Sequence, residues 1–347
     1  MDGFNLDCPL PLAADTVQLA HGGGGRAMRD LIASLLVPAL ASPTLEASHD
    51  AARLELGGAQ LAFTTDTFVV SPRHFPGGDI GELAVYGTVN DLACAGAQPR
   101  FLSCALVLEE GLPLAELGEL MTSLGRAAAR CGVAIATGDT KVVDRGKGDG
   151  IYINTAGIGL VPPGRRSGPG RVRPGDAVLV SGDLGRHGVA VLSVREGLAF
   201  EAPVVSDCAP VHGLAEALWA AGLDVHCLRD PTRGGLAAVL NEIALDAGVS
   251  MEVREPDIPV AEPVAAACEL LGLDPLQVAC EGRLVVFLPG AQADAALAAL
   301  RRTPGGEGAA QIGRVRERGQ VPVTLRTALG TERVLDLPPG TLLPRIC

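Results

Sequence analysis

The sequence has 347 residues, of which 48% are hydrophobic and 20% are charged, and its mean hydropathy of +0.30 excludes a disordered chain. Its 28 basic and 40 acidic residues give a formal net charge of −12, which argues against a broad nucleic-acid-binding surface. No apolar run reaches the roughly 18 residues of a membrane span, and the N-terminus has no basic signal-peptide region. We therefore expect a cytoplasmic protein of two domains, with no nucleic acid and no membrane among its partners.

The first half of the chain alternates between helical and strand patterns. Amphipathic or long apolar patterns predict helices, and segments rich in β-branched and small residues predict strands. In chain order these are helix 26–36, strand 60–65, helix 80–95, strand 100–108, helix 114–130, strand 133–137 and strand 151–161. Together they predict an N-terminal α/β domain over residues 1–163.

A domain boundary is predicted at residues 162–176, PPGRRSGPGRVRPGD, because this segment combines Pro, Gly and Arg without apolar periodicity. A second α/β domain is predicted over 175–335. Its elements are strands 177–181, 225–228, 250–253 and 283–288 and helix 236–247. The rest, 336–347, reads DLPPGTLLPRIC. Its three prolines favour an extended, flexible tail, about 40 Å long, that can carry its last residue into a distant pocket.

A glycine loop precedes the first predicted helix, where His21 is followed by Gly22, Gly23, Gly24 and Gly25. Free backbone N–H groups at a helix start can wrap an anion such as a phosphate. A flexible turn explains the same pattern. The segment does not match the Walker sequence, which excludes a conventional P-loop ATPase.

Four aspartates lie among small residues: Asp66 in TDT, Asp91 in ND, Asp139 in GDT and Asp230 in DPTRGG. Magnesium holds nucleotide phosphates through carboxylate oxygens, so aspartates that converge on one cleft predict a magnesium–nucleotide site. Aspartate is also a common turn and N-cap residue, which explains each position taken singly. Asp91 is the exception, because it is predicted inside a helix.

Two further charged residues are candidates for proton transfer. Only two of the 28 basic residues are lysines, Lys141 and Lys147, and the others are arginines. Each lysine is present either by chance or because its position needs an amine. Lys141 follows the predicted Gly-Asp-Thr turn, and Glu281 precedes a buried strand. Each is an ordinary surface charge when taken alone, whereas an amine and a carboxylate in one cleft form a proton-transfer pair.

The nine cysteines include no C-x-x-C pair, so we expect reduced thiols and no structural zinc site. Cys347 is the last residue of the predicted tail, and a thiol on a tether suggests a carrier of a chemical group. Prenylation does not fit, because its motif places the cysteine four residues from the end. An incidental terminal cysteine is the alternative. The other cysteines are predicted to be small core residues.

Several strings along the chain carry a resemblance: HGGGG, TTDTFVVSP, FPGGDIGELAV, GTVNDLACAGAQP, LSCALVLEEG, GDTKVV, DPTRGGLA and the terminal PRIC. In matching order over nearly the whole chain, they resemble the HypE family of hydrogenase maturation factors. The resemblance implies a two-domain α/β (α+β) fold of the aminoimidazole ribonucleotide synthetase-like (PurM-like) type with an extended C-terminal tail. One departure is Arg73-His74, where the family usually carries bulkier apolar residues.

The same resemblance implies an ATP-dependent carbamoyl dehydratase. The carbamoyltransferase HypF would load a carbamoyl group onto Cys347, and ATP would phosphorylate the carbonyl oxygen, because hydroxide is a poor leaving group. Departure of phosphate would leave an S-cyanate. The cyanide would pass to the HypC–HypD iron-loading complex for the iron centre of a nickel–iron hydrogenase. A homodimer is also implied.

Roles follow from the resemblance residue by residue. The positions matching those that hold Mg²⁺ and ATP are Asp66, Asp91 and Asp230, with Asp139 a nearby nucleotide candidate. His21 and its four glycines match a phosphate-side loop. Glu281 and Lys141 match the pair that flanks the modified cysteine: Glu281 as the base for an amide proton, and Lys141 as the charge that stabilises the transferring groups.

Two other interpretations remain open. An enzyme of the same fold that phosphorylates a free small molecule would keep its ATP turnover without Cys347. A thiol scaffold that binds nucleotide only as a switch would keep the state of Cys347 unchanged after Lys141→Ala or Glu281→Ala.

Overall fold

The computed structural model describes residues 16–40, 42, 44–45, 49–198, 204–338, 340, 343 and 345–347. Residues 1–15 of the predicted N-terminal domain and parts of the predicted tail lie outside these described residues. Among the described residues, none of the helices combines the length and the apolar character that crossing a membrane requires.

A five-stranded sheet organises the first half of the chain. The elements there are β1 (Ala52–Leu56), β2 (Ala59–Phe68), β3 (His74–Phe75), β4 (Gly78–Asp79), β5 (Gln98–Glu109), β6 (Ala134–Val143), β7 (Ile151–Leu160), α1 (Arg26–Leu31), α2 (Val37–Leu40), α3 (Ile80–Cys94) and α4 (Leu114–Cys131), and a π-helical segment, Ile32–Leu36, joins α1 to α2. The strand order is β1-β2-β7-β5-β6, and only the β5–β6 pair is parallel. The edge strand β6 is exposed along almost its whole length.

A seven-stranded sheet organises the second half. The elements are β8 (Asp176–Val180), β9 (Cys227–Arg229), β10 (Ser250–Arg254), β11 (Val285–Pro289), β12 (Ala310–Arg316), β13 (Val323–Arg326), β14 (Glu332–Val334), α5 (Arg186–Arg195), α6 (His212–Ala220), α7 (Gly235–Ala247), α8 (Glu262–Leu271) and α9 (Ala293–Arg301). The strand order is β14-β13-β10-β12-β8-β11-β9. Helix α3 is buried on nearly all sides, because it packs against β2, β7 and α4 and also against α6 and β9 of this second half.

One apolar core joins the two halves and the C-terminal tail. Phe68 and Tyr86 come from the first half, Val189 and Val278 from the second, and Ile346 from the tail, and all are almost fully buried. Burial of apolar surface at about 25 cal/mol per Å² therefore holds both halves and the tail around a common cleft.

The predicted helices and strands are confirmed in type, with shifted ends. Helix 80–95, for example, is observed as Ile80–Cys94. The predicted turn at Gly138-Asp139-Thr140 is wrong, because β6 continues to Val143 and each of these residues pairs in register with β5. Pairing with a neighbouring strand outweighs local turn preference. Asp66 likewise lies inside β2, opposite a residue of β7.

Candidate functional site

A cavity of about 650 Å³ is lined by residues of both halves and of the tail. Its charged and thiol side chains include Asp50, Asp66, Asp91, Arg229, Asp230, Arg233, Glu242, Glu281 and Cys347. Seven of the residues singled out in the sequence therefore line one cavity, although they come from distant parts of the chain. They are Gly24, Gly25, Asp66, Asp91, Asp230, Glu281 and Cys347.

The three aspartates converge because β2 supplies Asp66, α3 supplies Asp91, and the loop after β9 supplies Asp230. Burial raises the pKa of all three carboxyl groups, and the charges of Asp230 and Asp50 raise the pKa of Asp91 further. Thr64 Oγ1 donates a hydrogen bond of 2.9 Å to Asp91 Oδ2. Buried carboxylates that repel one another are stabilised by a divalent cation with oxygen ligands, so the chemistry of these side chains suits Mg²⁺. Among the described residues, however, the oxygens of Asp66 and Asp91 do not form a group with Asp230 in which all ligand atoms lie within 4.8 Å of one another.

We expect the metal-free protein to lose stability as the pH rises. A carboxyl group whose pKa is raised on folding stabilises the folded state below its ordinary pKa, 3.8 for Asp91, and that stability is lost as the pH rises through the raised pKa. Asp91→Asn removes this titration and keeps an oxygen for Thr64. Thermal unfolding in a chelator, from about pH 5 to about pH 8, should show a shallower decline for Asp91→Asn than for wild type. The exposed Asp294→Asn is the control, and parallel curves for Asp91→Asn and wild type would contradict the assignment.

Cys347 is only 8% exposed and lies in the cavity of its own chain. Its carbonyl oxygen accepts a hydrogen bond of 3.0 Å from the Val69 N–H, next to β2. Burial raises the pKa of the Cys347 thiol, and the positive charge of Arg233 opposes this effect. The tail therefore delivers its terminal thiol to the acidic cluster, where Arg233 faces it as a cation.

Two side chains of α5 hold the last residues of the tail. His187 Nε2 lies 2.7 Å from the carbonyl oxygen of Ile346, and its Nδ1 lies 2.9 Å from Ser206 Oγ. Arg195 donates a hydrogen bond of 2.6 Å to the carbonyl oxygen of Arg345. The Arg345 side chain in turn pairs with Asp149. These contacts fix the backbone on which Cys347 stands.

Glu281 is 2% exposed, and among the described residues its Oε1 has no hydrogen-bond partner. Its backbone N–H donates a hydrogen bond of 3.1 Å to Asp207 Oδ2, which also accepts one from Gly282. Burial raises the pKa of Glu281 well above its ordinary value. A carboxyl group with a raised pKa is a stronger base once it is ionised, so its position beside Cys347 suits proton abstraction.

The glycine loop contributes its last two residues to the cavity. Gly24 and Gly25 have φ of 73° and 94°, in the region that favours glycine. A Cβ at Gly25 would lie 2.2 Å from the carbonyl oxygen of Pro338, and one at Gly24 would lie 2.8 Å from Arg233 Cβ. Only a residue without a side chain fits between the tail and the Arg233 loop. Among the described lining residues, His21, Gly22 and Gly23 do not appear, and His21 Nδ1 accepts from the Gln18 N–H.

Lys141 and Asp139 are not brought to the cavity of their own chain. Lys141 Nζ lies 2.5 Å from Asp139 Oδ2, and the two side chains are 68% and 64% exposed. Both stand on the edge strand β6, outside the lining of the cavity. Within one chain, Lys141 therefore lies away from the cavity that holds Cys347.

Asp50 and Arg233 are site residues that the sequence analysis missed. Asp50 Oδ1 lies 2.6 Å from Arg229 Nε. This ion pair connects the end of β9 to the aspartates that line the cavity. Asp50 has no local signal, because its neighbours Ser-His-Asp-Ala-Ala match no motif. Arg233 belongs to the DPTRGG string, in which only Asp230 was predicted to be a site residue.

Two family profiles match this arrangement: AIR synthase related protein, N-terminal domain, over residues 48–161, and AIR synthase related protein, C-terminal domain, over residues 173–326. Carbamoyl dehydratase HypE of Azotobacter vinelandii is 50% identical over 338 residues, which cover 97% of this chain and 99% of that protein. The chain belongs to the HypE family. HypE of Escherichia coli is 47% identical over 338 residues, covering 96% and 100% of the two chains.

Solved HypE structures share the fold. A crystal structure of HypE in complex with ATP has a TM-score of 0.80 and 49% identity, covering 96% of this chain and 100% of that one. A HypE–HypF complex has a TM-score of 0.84 and 44% identity, covering 89% and 99%. The predicted family and its aminoimidazole ribonucleotide synthetase-like fold are confirmed.

Proposed function

We propose that this chain dehydrates an S-carbamoyl group on Cys347 to a thiocyanate at the expense of ATP, and so supplies cyanide for the iron centre of nickel–iron hydrogenase. The observation that carries the proposal is the burial of the terminal thiol in one cavity with Glu281 and the aspartate cluster. The name carbamoyl dehydratase, carried by relatives about half identical over nearly the whole chain, supports it.

The proposed chemistry removes one oxygen and two protons from the carbamoyl group. The carbonyl oxygen attacks the γ-phosphoryl group of ATP, the bond to the β-phosphate breaks and ADP leaves. The C–O bond then breaks as phosphate leaves with that oxygen and the bonding electrons. The amide nitrogen gives up its two protons as the triple bond to carbon forms, one of them to Glu281 and the other to solvent. Arg233 stabilises the negative charge on the transferring phosphoryl group.

Nucleotide and metal are proposed to bind at the acidic end of the cavity. The ATP complex of a HypE relative supports the use of ATP. Asp66, Asp91 and Asp230 would hold Mg²⁺, which when bound neutralises the phosphate charge. Gly24 and Gly25, which line the same cavity as Arg233, would contact the phosphates. For partners, we propose HypF as the carbamoyl donor, supported by the solved HypE–HypF complex, and the HypC–HypD complex as the acceptor.

The test is the intact mass of the protein after incubation with HypF and carbamoyl phosphate, and then with Mg²⁺ and ATP. We expect a carbamoyl adduct on the C-terminal peptide, followed by loss of the mass of one water. Cys347→Ala is the matched control and should acquire neither change. ATP turnover on a soluble substrate in Cys347→Ala would instead support a small-molecule phosphorylating enzyme.

The open face of the first sheet is proposed to dock a second copy of the chain. Phe63 and Phe101 both lie beside Ile158 across neighbouring strands. Phe63 is 41% exposed, Phe101 is 53% exposed and Ile158 is 41% exposed. Adjoining exposed apolar side chains mark an association surface. Phe101→Glu should convert a dimer into a monomer in light scattering. A monomeric wild-type protein would contradict the proposal.

If a second copy supplies Lys141, two inactive variants should complement each other. Lys141→Ala and Glu281→Gln subunits mixed under exchange should regain about a quarter of the wild-type dehydration rate, since half of the dimers are mixed and each has one complete site. The rate is measured by loss of the carbamoyl adduct. Lys147→Ala, which changes the other lysine, should lose no activity. No recovery in the mixture would remove Lys141 from the site of the partner.

A further inference from the structure

Behind the acidic end of the cavity, three side chains from separate elements bring their ligand atoms together. Those of Asp50, Cys94 and Asp230 all lie within 4.8 Å of one another. Asp50 and Asp230 line the cavity, whereas Cys94 is fully buried behind them in the last turn of α3. Asp91 and Cys94 are three residues apart on α3, so the helix turns the thiol to the same side as the carboxylate.

One oxygen of this cluster is buried without a partner. Asp50 Oδ1 is paired with Arg229, but among the described residues Asp50 Oδ2 has no hydrogen-bond partner, although the side chain is only 7% exposed. A buried carboxylate oxygen that is left unpaired is unfavourable, and a bound cation is one way to satisfy it. The Cys94 thiol hydrogen-bonds to the Asp50 carboxylate. A cation that replaces the thiol proton would bind the sulfur and could also satisfy the unpaired oxygen.

His49 adds a nitrogen beside the same oxygen. Its Nδ1 lies 3.8 Å from Asp50 Oδ2 and has no hydrogen-bond partner among the described residues. Its Nε2 lies 3.1 Å from the carbonyl oxygen of Ser167, so the ring donates from Nε2 and keeps the lone pair on Nδ1. Metal-ligating histidines are oriented by such a bond from the second ring nitrogen to a backbone carbonyl.

We propose that Asp50, Cys94 and Asp230 form a mixed oxygen–sulfur site for a borderline divalent cation of the Zn²⁺ class, with the His49 ring next to it. Magnesium prefers oxygen ligands, whereas thiolate and imidazole select Zn²⁺ and its neighbours. Donor atoms of a tetrahedral zinc site lie roughly 3.5 Å apart at bond lengths of about 2.0–2.3 Å. The three ligand atoms, which lie within 4.8 Å of one another, would move closer together when the cation binds. The thiol proton leaves to solvent as the metal–sulfur bond forms.

The site shares Asp230 with the proposed magnesium–nucleotide site, so the inference rests on the proposed function and deepens it. A cation held by Asp50, Cys94 and Asp230 occupies a carboxylate that Mg²⁺ would use. Zinc would therefore compete with magnesium in this chain, and the residue that decides the competition is Cys94.

Titration with Co²⁺, a spectroscopic substitute for Zn²⁺, tests the proposal on the full-length metal-free protein. We expect a thiolate-to-cobalt charge-transfer absorption in the wild type that is reversed by Zn²⁺ and absent in Cys94→Val. Loss of a residue that only supports a metal ligand lowers metal affinity by roughly 10–100-fold. Because Cys94 would itself be a ligand, the zinc affinity of Cys94→Val, measured by calorimetry, should fall by more than this. Cys268→Ala, which removes another buried thiol, is the control and should retain both signals.

A wild-type cobalt spectrum without the thiolate band would overturn the proposal, and so would equal zinc affinity in Cys94→Val and the wild type. Absence of the band in the wild type overturns the proposal even if Cys94→Val does not fold. Binding of Mg²⁺ and ATP to the wild type is measured separately. Normal nucleotide binding without the cobalt band rejects only the mixed site, whereas absence of nucleotide binding rejects the proposed function.

Discussion

Glu281→Gln should slow dehydration of carbamoylated Cys347 by about 10²–10⁴-fold, the usual contribution of a general base, while ATP still binds. Glutamine has nearly the same size but cannot take the amide proton. The backbone bonds from residues 281 and 282 to Asp207 do not involve the side chain, so the loop should keep its shape. The intact-mass time course should show the carbamoyl adduct persisting on Cys347.

The pH dependence gives a second readout of the same residue. Because burial raises the pKa of Glu281, the ionised base becomes more abundant as the pH rises through that raised value, and the dehydration rate should rise with it. Glu281→Gln should lose this dependence. Glu242→Gln is the matched control, because Glu242 lines the same cavity but pairs with Arg229 at 3.1 Å. Full-rate dehydration by Glu281→Gln would exclude Glu281 as the base.

Arg233→Met is expected to lower the dehydration rate by about 10³-fold or more, the range seen when an arginine that neutralises a transferring phosphoryl group is removed. Arg233 lines the cavity, and the charges of Cys347, Asp66 and Glu281 all raise its pKa, so it stays protonated. Methionine fills a similar volume without the charge. Single-turnover dehydration with saturating ATP measures the effect on the chemical step.

Two controls separate charge from packing at Arg233. Arg233→Lys keeps a positive charge but lacks the planar fork of donors, so it should recover only part of the rate. Arg29→Met removes another cavity cation, one that pairs with Asp246 at 3.2 Å, and it should keep most of the activity. A rate for Arg233→Met within a few-fold of wild type would assign the phosphoryl charge to another group.

The sequence predicts those parts of the site whose signals are local. Asp91 stands out because its position inside a predicted helix does not fit a turn or N-cap role, and Cys347 stands out because it ends a proline-rich tail. Both line the cavity. By contrast, Asp50 and Cys94 come together only when α3 packs against the segment before β1, and no spacing in the chain encodes that contact.

Lys141 shows the opposite limit of sequence analysis. Its scarcity as one of two lysines indicated a special role, but the Gly-Asp-Thr segment before it resembles a turn only until β5 is alongside. Strand pairing is a tertiary contact, and it places Lys141 on an exposed edge strand, outside the cavity of its own chain. The fold class could be predicted from the sequence because helix and strand patterns alternate along both halves of the chain. The short strings that resemble the HypE family also extend over both halves.

The docked tail makes loading and processing of Cys347 compete for one population of molecules. If the carbamoyl donor reaches the thiol only in molecules whose tail has left α5, its apparent affinity is the intrinsic affinity multiplied by the undocked fraction. Weakening the contacts of His187 or Arg195 with the tail should therefore speed acquisition of the carbamoyl group and slow its conversion. These hydrogen bonds and the burial of Ile346 thus set how each thiol divides its time between the donor enzyme and the catalytic cleft.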